Sequence, residues 1–159
     1  MKIKFYKEDD FVNYKKCSLF IGTTQCTWKC CREAGIPCSV CQNHGWNTNP
    51  TLDIEDEWLI HRYLKNPLEE AVVIGGLEPM DTFDELYSFI QEFRCVSNDD
   101  IVIYTGYYPE EIQSNINKLK EFSNIIIKFG RYVPNSESRY DEVLGVTLAS
   151  KNQFAQKIS

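Results

Sequence analysis

The chain has 159 residues, about one domain on the usual scale of roughly 100–200 residues. Its hydrophobic share of 43% suffices for a sizeable core and excludes a chain that stays disordered. Seventeen Lys and Arg against 23 Asp and Glu leave a net charge of −6, which argues against a general binder of nucleic-acid backbones.

From the N-terminus, Met1-Lys2-Ile3-Lys4-Phe5-Tyr6-Lys7-Glu8-Asp9-Asp10 has no apolar signal region and turns acidic at once. No apolar run approaches the roughly 20 residues of a membrane span. A cytoplasmic protein with neither a membrane nor a nucleic-acid partner is therefore expected. Lys16–Gly22 reads as a first strand, stopped by glycine and followed by a cysteine-rich loop. Between Asp53 and Lys65, Ile54, Trp58, His61 and Leu64 fall at near-helical spacing, and Asn66-Pro67 ends the helix. Ala71-Val72-Val73-Ile74 is an apolar run broken by Gly75-Gly76, as in a strand covered on both faces.

Met80-Asp81-Thr82 opens the next helix, with Thr82 and Glu85 spaced for a capping box and Phe83, Leu86, Tyr87, Ile90 and Phe93 along one face. Ile101–Tyr104 is a third strand, ending at Thr105-Gly106. Pro109 suits the first turn of a helix whose buried stripe is Ile112, Ile116, Leu119 and Phe122. Asn124–Phe129 is a fourth strand, and Val143–Leu148 is assigned as a fifth. Strands alternating with amphipathic helices predict an α/β fold built on a parallel sheet, in one domain over 1–159. Functional groups of such sheets gather at the carboxyl ends of the strands. The unusual residues follow that rule: the cysteines after strand one, Gly75-Gly76-Leu77-Glu78-Pro79 after strand two, Thr105-Gly106-Tyr107 after strand three, and Gly130-Arg131 after strand four.

Five of the seven cysteines, Cys26, Cys30, Cys31, Cys38 and Cys41, lie within 16 residues. An odd number in a chain without a secretion signal makes a poor disulfide framework, and clustered reduced thiols more often bind metal. Thiolates favour zinc or the irons of iron–sulfur clusters. A closed zinc site would take four sulfurs, for example Cys26, Cys30, Cys38 and Cys41. A catalytic cluster would take three and leave one iron open. The loop alone leaves zinc, a cluster and unligated thiols all standing. Elsewhere, His61 reads as a structural residue, His44 as a loop residue, and Cys17 and Cys95 as small buried apolar groups. Arg131 and Lys128 read as solvated charges, with substrate contact as the alternative, and Trp28 as loop packing or a shield for the loop's ligand.

Four segments, in one order along most of the chain, resemble the radical S-adenosylmethionine (SAM) superfamily, and within it the small activating proteins of anaerobic ribonucleotide reductase. Cys26-x3-Cys30, with Cys41-Gln42-Asn43 later, is similar to the C-x3-C-x2-C cluster motif, whose last cysteine is commonly followed by an aromatic residue and asparagine. Gly75-Gly76-Leu77-Glu78-Pro79 resembles the Gly-Gly-Glu-Pro loop that holds the SAM amino group. Tyr104-Thr105-Gly106-Tyr107 is similar to the end of the activases' third strand, and Leu144-Gly145 through Ala149-Ser150-Lys151-Asn152-Gln153 to their C-terminal segment.

The resemblance implies a truncated, partial (β/α) barrel holding a [4Fe–4S] cluster and SAM. Cys26, Cys30 and Cys41 are the implied ligands, with Cys26, Cys38 and Cys41 as the alternative set and Cys31 as the least favoured ligand. Gly75, Gly76, Glu78 and Pro79 are implied to hold SAM, with Thr105 and Asn152 as secondary contacts; no side chain is singled out as catalytic. The implied activity is reductive cleavage of SAM to a 5′-deoxyadenosyl radical. With four or five strands the radical's side stays open, which suits a glycyl radical enzyme such as anaerobic ribonucleotide reductase as the partner. Flavodoxin or ferredoxin is the implied electron donor. The alternatives are a radical SAM enzyme for a small or peptide substrate, and a non-catalytic iron–sulfur or zinc module. Two departures stand out: ten residues (31–40) separate Cys30 from Cys41, and Leu77 is an extra residue inside the Gly-Gly-Glu-Pro loop.

Overall fold

Four apolar runs become four adjacent parallel strands in the computed structural model, which describes residues 1–159. In chain order the elements are β1 (Lys2–Asp10), β2 (Ser18–Thr23), α1 (Lys29–Ala34), β3 (Leu52–Asp53), α2 (Asp56–Lys65), β4 (Ala71–Gly76) and α3 (Phe83–Arg94). They continue with β5 (Asp100–Tyr104), α4 (Gln113–Leu119), β6 (Ile125–Phe129), β7 (Arg139–Asp141), β8 (Val146–Leu148) and β9 (Phe154–Lys157). One sheet runs β3-β1-β2-β4-β5-β6-β9, and β7 and β8 form a separate hairpin.

The sheet is mixed: β2, β4, β5 and β6 are parallel, whereas β1, β3 and β9 pair antiparallel at the flanks. The expected α/β fold on a parallel core is present. No closed barrel forms, because the chain after β6 returns as the antiparallel edge β9 rather than as another helix–strand unit. The assigned fifth strand is β8, which leaves the main sheet to pair with β7.

Side chains alternate along each strand, so each strand feeds both faces. On one face Leu19, Ile21, Val72, Ile74, Ile101, Ile103, Ile125 and Ile127 meet Leu59 and Tyr63 of α2, Leu86, Phe89, Ile90 and Phe93 of α3, and Ile116 and Leu119 of α4. Tyr63 packs edge-on against Phe93 at 5.0 Å and joins α2 to α3. Each fully buried aromatic or aliphatic side chain here contributes about 1.5–3 kcal/mol. On the opposite face Phe20, Ala71, Val73, Val102 and Ile126 are covered by Tyr14, Leu144 and Leu148 instead of by helices. The carboxyl-terminal half of that helix-free face is left for the cysteine segment.

Two local expectations are also corrected. The buried face of α2 is Leu59, Ile60 and Tyr63, whereas Trp58, His61 and Leu64 are exposed, with Trp58 packed edge-on to Tyr6 at 5.3 Å. Thr82 makes no side-chain cap on α3, and Glu85 accepts instead from the Lys2 backbone N–H at 2.6 Å, tying α3 to β1. No helix is long and apolar enough to cross a membrane.

Candidate iron–sulfur site

The loops after β2, β4, β5 and β6 line one cavity at the carboxyl ends of the parallel strands. Cys26, Cys30, Cys31 and Cys41 all face it, and Cys38 does not. Of the other implied residues, Gly76, Glu78 and Thr105 line the cavity, whereas Gly75, Pro79 and Asn152 lie behind it. In a cubane each cysteine ligates a different iron, so thiols arranged around a cavity are the pattern such a cluster requires.

The cysteine segment folds as α1 flanked by turns. Trp28 precedes α1 in the left-handed region at φ 57°, and its N–H donates to Cys26 Sγ at 3.2 Å. Its ring packs on His44 at 5.5 Å and lines the cavity. Burial pushes the Cys26 thiol up to about 12 and the Cys30 thiol up to about 11, and the nearby Glu78 carboxyl reinforces both shifts. Both stay protonated at neutral pH until a metal's charge displaces the proton.

The Gly75–Pro79 loop does its work largely through protein contacts. Gly76 has φ +88°, and a Cβ there would stand 2.9 Å from the Gly22 Cα, so glycine is needed where β2 and β4 end side by side. Its carbonyl accepts from Asn43 Nδ2 at 2.6 Å, which links the Cys41-Gln42-Asn43 segment to this loop. The extra residue Leu77 is buried against the cavity, and the Glu78 N–H donates to the Gln25 carbonyl at 2.7 Å.

Glu78 is 5% exposed. Its carboxylate accepts from Thr105 Oγ1 at 2.7 Å, the Gly106 N–H at 2.8 Å and the Met80 N–H at 3.1 Å. Burial pushes it up to about 7 against the pull of those three donors. Thr105 is thus committed to Glu78. Asn152 is likewise committed, its Nδ2 donating to Tyr108 Oη and to the Arg131 carbonyl, each at 2.9 Å.

Three residues that sequence reasoning passed over or misread lie at this site. Gly106 lies so close to Cys30 that a Cβ would stand 2.6 Å from its sulfur. Lys128, read as solvated, is 6% exposed and lines the cavity; its Nζ donates to the Gly130 carbonyl at 3.0 Å and lies over the Tyr104 ring. Burial lowers it to about 8, while Glu78 and Cys30 favour its charge. Arg131, also read as solvated, is 8% exposed and forms a paired, bidentate contact with Glu111 at 2.6 and 2.8 Å. The alternation of β6 holds the clue for Lys128: it is two residues beyond Ile126, on the face that carries the cavity. Cys95, read as buried, is exposed.

A sequence model of the 4Fe-4S single cluster domain matches residues 15–154, from just before β2 into β9. The chain belongs to this family of single-cluster 4Fe–4S domains. No curated protein and no solved structure matches it. The matched span includes all five clustered cysteines, the four parallel strands and the loops that follow them. A single-cluster domain needs one cavity ringed by thiols, and the donors here suit a cluster: soft, half-buried sulfurs with an amide donor at Cys26 and the Lys128 cation on the same cavity.

Proposed function

We propose that this single-cluster domain is a radical SAM protein whose cluster is held by Cys26, Cys30 and Cys41, and that it activates a partner protein. The observation that carries the reading is the shared cavity: four thiols, those of Cys26, Cys30, Cys31 and Cys41, the Gly76–Glu78 loop and the end of β5 meet on the face of the sheet opposite α2, α3 and α4. Cys26 and Cys41 enter through segments tied to the Gly-Gly loop, by Gln25 accepting from Glu78 N–H and by Asn43 donating to Gly76. Cys30 lines the cavity and Cys38 does not, which favours Cys30 as the remaining ligand.

A reduced cluster held by Cys26, Cys30 and Cys41 would supply one electron to a carbon–sulfur bond of SAM bound at its open iron, and that bond would break to methionine and a 5′-deoxyadenosyl radical. The chain's own residues set the conditions. Phe20, Trp28 and Trp46 line the cavity with aromatic surface that excludes water. Glu78 fixes the β5 end by taking the Thr105 hydroxyl and the Gly106 amide. Lys128 places a buried positive charge on the same cavity, favouring anionic groups there. The radical's target is proposed to be a glycine of a glycyl radical enzyme such as anaerobic ribonucleotide reductase, with flavodoxin or ferredoxin as the electron donor.

Anaerobic incubation of the reconstituted, dithionite-reduced protein with SAM tests this. Methionine and 5′-deoxyadenosine are expected in equal amounts from the wild type and not from Cys41→Ala. Cluster-replete wild type that leaves SAM intact would contradict the proposal.

A further inference from the structure

α1 carries Cys30 and Cys31, yet its six residues are too few to hold a helix by themselves, and Cys31 is the one buried residue in it. Its Trp28 N-cap offers no side-chain acceptor. Something other than apolar packing must fix it. The structure provides a charged cluster between three loops. Arg131, just past β6, grips both Glu111 oxygens, and its Nε lies 2.5 Å from Glu33 Oε2 at the end of α1. Lys29, at the start of α1, pairs with the same Glu111 carboxylate. Glu111 also accepts from the Tyr108 N–H at 2.8 Å, and the Arg131 guanidinium lies 4.9 Å from the Tyr108 ring centre.

We infer that Arg131 and Glu111 are positioning residues that latch α1 onto the ends of β5 and β6, holding Cys30 toward the cavity. Lys29 and Glu33 bracket the helix, so one pair of charges on the sheet side meets both of its ends. The Arg131 and Glu111 side chains are only 10% and 19% exposed. Removing either partner leaves the other only its contact with one end of α1, Glu111 with Lys29 or Arg131 with Glu33, so the helix loses its anchorage at the opposite end. Asn152 extends it to the C-terminal segment by holding the Arg131 carbonyl and the Tyr108 hydroxyl. This inference rests on Cys30 being a cluster ligand for its consequence, but not for the latch itself.

The test has two readouts. Hydrogen exchange of the metal-free protein reports whether residues 29–34 lose protection in Arg131→Met, Glu111→Gln and the milder Glu33→Gln while β4, β5 and β6 keep theirs. Anaerobic iron release to a chelator from reconstituted protein is expected to quicken by about tenfold or more in the first two variants. Arg131→Lys should recover part of the protection by restoring one contact. Wild-type exchange at 29–34 in all three variants would overturn the latch. If the wild type takes up no cluster, the cluster reading fails, and the exchange measurement still decides the latch.

Discussion

Gly106 has no side chain at the place where the sulfur of Cys30 packs against the end of β5. A methyl group there meets the thiol rather than the backbone, so the sulfur moves and the fold stays. Gly106→Ala should keep its circular dichroism and thermal transition but hold less than about half the wild-type iron and sulfide after reconstitution. Full cluster content in that variant would remove Cys30 from the ligand set. Far from the cavity, Glu69 is 6% exposed, with one carboxyl oxygen accepting from the Asp9 N–H at 3.3 Å and the other without a partner. Burial, together with the neighbouring Glu8 and Asp9, pushes it up to about 7. A carboxyl whose folded value is raised favours folding at low pH, and that contribution is lost as pH rises from about 4.5 through 7. Glu69→Gln should therefore be more stable than wild type at pH 8, by up to about 3 kcal/mol, and lose that advantage by pH 4. Urea titrations at the two pH values measure it.

At the scale of elements, the ten residues between Cys30 and Cys41 are not a free insertion. They complete α1, turn at Gly35 in the left-handed region, and make a short 3₁₀ turn over Cys38–Val40 that returns Cys41 to the cavity. The expected ranking of single-cysteine variants follows: Cys26→Ala, Cys30→Ala and Cys41→Ala lose the cluster, whereas Cys31→Ala and Cys38→Ala keep it, read by iron content and visible absorption. Retention by Cys41→Ala, or loss in Cys38→Ala, would overturn the assignment. Helices and central strands were legible in the sequence because burial on both faces makes Ala71–Ile74, Ile101–Ile103 and Ile125–Ile127 continuous apolar runs. β1 and β9 were not, since flanking antiparallel strands mix charges with apolar residues, as in Lys2-Ile3-Lys4-Phe5 and Phe154-Ala155-Gln156-Lys157. The face of α2 was misjudged for a related reason: Trp58 and Leu64 are large and apolar, but Tyr6 and solvent take them while Leu59, Ile60 and Tyr63 enter the core.

Over the whole molecule, three helices cover one face of the sheet and the loops at the strand ends gather the site on the other. The sequence motifs located the cavity because strand ends in a parallel array lie side by side, so loops distant in the chain become neighbours. They did not reveal the charged shell. Lys128 and Arg131 look like ordinary surface cations until the fold places Glu78, Glu111 and Glu33 around them. At the cavity itself one buried cation, Lys128, stands with one buried carboxyl, Glu78. On the proposed function, this cavity holds a cluster with one iron open to SAM. Low-temperature EPR of anaerobically reconstituted, dithionite-reduced protein, recorded with and without SAM, tests it most directly. A reduced [4Fe–4S] signal that changes shape when SAM is added is the predicted result; a cluster signal indifferent to SAM would contradict it.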